Sequence, residues 1–283
     1  MTSRPLVMKL GVLLLPAMLM LGGLKLFGSD LGRFGTKLTS TPSLEVKHGA
    51  NFYVLPPTYR YEKHVKDWTT NFLTWMGTDQ VDVFGFCQPP SLTVAVYVDR
   101  ARFDQEGRPH SASEVAIYRS WLRHDGRIII DASQGMEEAG LQRALSHQLT
   151  HALMRFQGKH VRWPAWLSEG LAIYFESTTL GVVNANARAV RSAAPQFKPG
   201  LLDQLLSLEA FPEREALLHH EASYALVLYL LHGPGGFRQR FLDWYRGEAK
   251  ADRPAQGIEK VLGPLSDFEA AWIEWARSPK LDR

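Results

Sequence analysis

The chain has 283 residues, 45% hydrophobic and 22% charged, which is enough apolar material for a large packed core and excludes general disorder. A net charge of +3, with no block of consecutive basic residues, leaves no electrostatic footprint for nucleic acid, and no nucleic-acid partner is expected. The single cysteine, Cys87, excludes an internal disulfide and any cysteine-rich zinc module, so a metal here has to be held by some of the 10 histidines with carboxylate help.

Arg4 and Lys9 precede an apolar run from Leu10 to Leu24, extended by Leu26 and Phe27, the charged-then-apolar layout of an export signal or membrane anchor. Residues 1–28 are therefore expected to contact a membrane, with the following domain exported to the cell envelope. No A-x-A-like site follows the run, which favours an uncleaved anchor. Residues 29–43, with Gly, Ser, Thr and Pro, read as a linker.

From Leu44 the expectation is one α+β domain over 44–283. Phe52 to Leu55 is strand-like and stopped by Pro56-Pro57, and Thr58 to Met76 places Tyr61, Val65, Trp68, Phe72 and Trp75 at helical spacing. Leu92 to Val98 and Arg127 to Asp131 are rich in β-branched residues and read as strands, the second opened by a turn at His124-Asp125-Gly126. Beyond residue 136 the pattern is helical: Met136–Phe156, Ala165–Glu176, Leu201–Leu208, Glu221–His232, Phe237–Arg246 and Leu265–Arg277. Gly181 to Gly200 reads as irregular. A mixed strand and helix half followed by a helical half predicts a cleft between them.

His147 and His151 lie four residues apart in a helical segment, a rotation of about 400°, so both imidazoles share one face and can reach a single ion. A pair with this spacing arises by chance in about one chain in three with this many histidines, so it needs a partner. Glu169 supplies one, 18 positions after His151, on a second helix beginning near Pro164, with Gly170 beside it to let two backbones approach. Two histidines and a carboxylate leave a fourth position open, the donor set of a catalytic zinc site.

His147-x-x-x-His151 followed by Trp166-Leu-Ser-Glu169-Gly-Leu-Ala resembles the gluzincin metallopeptidases, in particular peptidase-MA-like domains of secreted or membrane-tethered proteins, whose motif is H-E-x-x-H followed by W-L-x-E-G-x-A. The resemblance implies a zincin-like fold with the metal site in the cleft, zinc as cofactor, His147, His151 and Glu169 as ligands, and a peptide or protein as substrate or ligand. In such proteins an edge strand before the metal helix often pairs with the substrate backbone, a place that Arg127 to Ile130 holds in chain order. A tyrosine on a later helix can hydrogen-bond the oxyanion, which points to Tyr224, with Tyr174 and Tyr229 as competitors.

One departure decides the chemistry. Where the family has its general-base glutamate, this chain has Gln148, and an amide cannot accept a proton at neutral pH. Glu137 and Glu138 are about 14 Å back along the helix, and Glu176 about 10 Å beyond Glu169. Glu114, Asp131 or Glu221 could take over only through tertiary folding. General-base catalysis contributes about 10²–10⁴-fold, so two readings follow. One is a zinc-dependent hydrolase with a substitute base. The other is a zinc-binding pseudopeptidase whose cleft binds peptide or protein at the cell envelope.

His219 and His220, adjacent and so on different helix faces, read as solvated or capping residues, and Trp163 and Trp166 as staples of the glutamate helix to the core. Cys87, set among aromatics, reads as a buried inert thiol.

Overall fold

A computed structural model describes residues 44–278, apart from 49, 56–58, 79–83, 87–90, 110–113, 123–124, 158–160, 181–182 and 252–253. The expected anchor, the linker and Cys87 lie outside the described residues.

The architecture is mixed α+β. Strands β1 (Leu44–His48), β2 (Ala50–Leu55), β3 (Ser91–Tyr97), β4 (Ala116–Leu122) and β5 (Asp125–Asp131) form one sheet in the order β1-β2-β3-β5-β4. The inner pairs, β2 with β3 and β3 with β5, are parallel, whereas β1 and β4 run antiparallel to their neighbours at the two edges. Parallel inner strands need both faces covered, which explains the unbroken apolar runs in β3 and β5. Ile128, Ile129 and Ile130 are all fully buried. Ile128 and Ile130 join the main core, while Ile129 faces a smaller cluster with Ala95, Tyr97, Phe103 and Ile117.

The long connections are helical. Helix α1 (Tyr59–Thr78) follows β2, and α2 (Arg100–Gly107), capped by the Asp99 side chain on Ala101 N–H at 2.9 Å, links β3 to β4. After β5 the chain is wholly helical among the described residues. Helices α3 (Glu138–Phe156), α4 (Ala165–Leu180), α5 (Val183–Ala193), α6 (Leu201–Ser207), α7 (Ala216–His232), α8 (Phe237–Ala251), α9 (Glu259–Leu262) and α10 (Leu265–Arg277) follow in turn. The main core runs without a break from Val65 in α1 through the sheet to Ala276 in α10, so the strand-bearing and helical parts share one interior.

Three differences from the sequence reading have physical causes. Val183–Ala193, expected to be irregular, is a helix whose Val190 and Ala193 are buried, so packing outweighs the neutral propensity of its Asn residues. The strand at the sheet edge is β4, not Arg127 to Ile130, which lies inside the sheet with partners on both sides. The mixed apolar and polar sequence of β4 reflects its place at an edge, with Ile117 turned to the interior. Gly170 does make room for a helix, but for α7. A Cβ there would lie 2.6 Å from the Ser223 carbonyl oxygen and 2.7 Å from Val227 Cγ2.

Candidate metal centre

Helix α3 carries His147 and His151 one turn apart, and α4 packs against it in the opposite direction. Ser168 meets His151, while Glu176, two turns later, meets His147 and Arg143. This antiparallel register brings Glu169 between the two histidines. His147 Nε2 is 3.3 Å from Glu169 Oε2, His151 Nε2 is 3.4 Å from Glu169 Oε1, and the two Nε2 atoms are 3.0 Å apart. The three side chains are 16–24% exposed, sheltered yet open to solvent.

Each Nδ1 is held from behind. His147 Nδ1 lies 2.5 Å from Glu176 Oε1, and Glu176 Oε2 is 3.5 Å from Arg143 Nε. His151 Nδ1 lies 2.9 Å from Ser168 Oγ. Such partners fix the ring orientation and the tautomer, leaving the Nε2 lone pairs for an ion. Glu176, which along its own helix is distant from Glu169, is brought into play because the facing helix runs antiparallel.

The electrostatics match a site built around positive charge. Burial opposes the charged form of His147, but its hydrogen bonds to Glu169 and Glu176 outweigh this and raise its pKa. Burial lowers the pKa of His151, with Glu169 opposing it only in part. Glu169, although sheltered, is held well below the usual carboxylate range by His151, His147 and His220.

The donor set fits a small divalent metal. One ligand atom from each of His147, His151 and Glu169 lies within 4.8 Å of the other two, and two imidazoles with a carboxylate are a donor set that such an ion accepts. His147, His151 and Glu169 together could hold a metal ion.

Helix α7 adds a residue read from sequence as solvated or capping. His220 Nε2 lies 3.3 Å from Glu169 Oε2, and its ring packs edge-on against Phe211 at 5.1 Å. Its place at the centre depends on how α7 lies over α4, which local sequence does not encode. His219, one residue earlier, is turned inward and 1% exposed, beside Phe211. Tyr224 is likewise buried, its hydroxyl directed to Ser177 in the α4–α7 seam, so it is packed in the core. Trp166 is fully buried, and Trp163 stacks on Tyr245 at 4.5 Å while donating to the Met154 carbonyl at 3.1 Å, so both anchor the start of α4.

Gln148 points to the sheet. Its Nε2 donates to the Ala116 carbonyl of β4 at 3.1 Å. Of the carboxylates weighed from sequence as substitute bases, Asp131 is tied to Arg100 at 3.1 Å and to the Ser133 N–H at 2.9 Å. Glu221 has Glu176 and Arg143 as its charged neighbours, on the Nδ1 side of His147. Burial, and then the nearby Glu176, push the Glu221 carboxyl up to about 7.

No protein-family model matches the chain, and no curated protein matches its sequence.

Proposed function

We propose that this protein is a gluzincin-like, zinc-binding relative of metallopeptidases whose hydrolytic activity is weak or absent, and whose metal centre serves to bind a peptide or protein segment at the cell envelope. The observation that carries the reading is the convergence of His147, His151 and Glu169 from two antiparallel helices, with both histidines oriented through Nδ1. An antiparallel edge strand beside the helix that bears the histidines supports a zincin-like fold. The apolar run from Leu10 to Leu24 supports export or membrane tethering.

Zinc in such a site supplies Lewis acidity toward a carbonyl and lowers the pKa of a coordinated water. The chain's own residues supply the rest, and there the arrangement departs from a peptidase. Glu169 faces the histidines, and Glu176 is engaged by His147 and Arg143. Gln148 donates to a backbone carbonyl and, as an amide, takes no proton from water. His220 can offer an N–H beside Glu169, which suits holding a carboxylate or carbonyl oxygen of a ligand.

The purified protein is expected to retain about one zinc per chain after dialysis, and His147→Ala or His151→Ala to lose it. Full metal content in both variants overturns the ligand assignment. The zinc-loaded wild-type protein is expected to give no chelator-sensitive cleavage of a peptide library, and such turnover would establish it as a working hydrolase.

A further inference from the structure

We propose that Gln148 is an amide tether joining the histidine-bearing helix to β4, an edge strand of the sheet. At this position the edge strand calls for a donor, which an ionised glutamate does not have.

The backbone pattern shows where the tether lands. Asp131 donates its N–H to the Val115 carbonyl at 2.8 Å, and the register places Ala116 opposite Ile130 and Ile117 opposite Ile129. Hydrogen-bonded and non-hydrogen-bonded positions alternate along an antiparallel pair, so Ala116 directs its N–H and C=O away from β5. Since β4 is the last strand of the sheet among the described residues, those groups point away from the sheet. Such an edge offers unpaired backbone groups to any passing strand. Gln148 Nε2 takes the Ala116 carbonyl at 3.1 Å, and the glutamine is only 8% exposed, so water competes weakly for that acceptor.

Substitution by an ionised carboxylate would set a negative oxygen against a carbonyl oxygen in a sheltered place and remove the donor. A methionine keeps the length and loses the donor alone. The tether lies next to the histidine pair, because His147 is one residue before Gln148 on α3. Gln148 is then an occupied structural position, and Gln148→Glu is more than the restoration of a base.

The test uses the full-length protein and reads backbone amide hydrogen exchange along the β4–β5 ladder, at residues 115–122 and at Asp131, in wild type, Gln148→Glu and Gln148→Met. Exchange roughly two- to tenfold faster in both variants is expected, the range set by losing one sheltered hydrogen bond. Ladder exchange indistinguishable from wild type in both overturns the proposal. The Gln148 side-chain NH2 resonance in labelled wild-type protein gives a second reading that no misfolding of a variant can obscure. Protection from solvent exchange supports the tether, and exchange at the rate of a free glutamine side chain overturns it. The proposal stands on strand and helix without the metal, and zinc content in the same samples reports on the ligands separately.

Discussion

The imidazole of His147 is gripped at both ring nitrogens, by Glu176 at Nδ1 and by Glu169 and His151 at Nε2, and this grip is what turns a common histidine spacing into a site. The spacing from His147 to His151 and the later Glu169 are legible in the sequence because helical geometry fixes which residues share a face. Glu176 and Ser168 as orienting partners, and His220 as a neighbour of Glu169, are not legible, since each depends on how one helix lies against another. Glu176→Gln keeps the volume but replaces a charged acceptor with an amide behind the ring. It is expected to weaken zinc affinity about 10–100-fold, read by competition with a chromophoric chelator, while the fold as seen by far-UV circular dichroism stays unchanged.

Among the helices, α4 carries the most constraints. One side presents Ser168, Glu169 and Glu176 to α3, and another is pressed so closely to α7 that no Cβ fits at Gly170. The clash there is with the Ser223 carbonyl, which is backbone and cannot rotate aside. Gly170→Ala is therefore expected to push α4 from α7 and destabilise the protein by about 1–3 kcal/mol, measured by urea unfolding, with zinc binding weakened as Glu169 shifts. An unchanged midpoint would mean that the helices separate without strain. The end of α3, the start of α4 and both ends of α10 follow from their punctuation, whereas α4 continues past Glu176 to Leu180 and β4 carries no decisive period because its seven residues are of mixed polarity.

Across the whole molecule, one continuous core joins the sheet to the helical part, so events at the α3–α4–α7 junction act on global stability. Glu221 lies at that junction, its carboxyl pushed up to about 7 by burial and by Glu176. An acid whose pKa is raised on folding is favoured in its neutral form. Its contribution is full below the unfolded value, near 4.5, and is lost as pH rises through about 7. The melting temperature should accordingly fall between pH 5 and 8 more steeply in wild type than in Glu221→Gln, and parallel curves would show that Glu221 is not the source. The sequence by itself determined the mixed α+β class, the placing of most helices, the candidate ligands His147, His151 and Glu169, and the amide at Gln148 beside the first of them. Those features rest on local periodicity and residue identity, which a linear chain displays. Tertiary structure alone decided that β4 is an edge strand, that Gly170 serves α7, that Tyr224 is core while His220 reaches the site, and that Gln148 donates to Ala116. Each of these depends on contacts between segments far apart in the chain, set by how apolar faces pack and not by any local pattern.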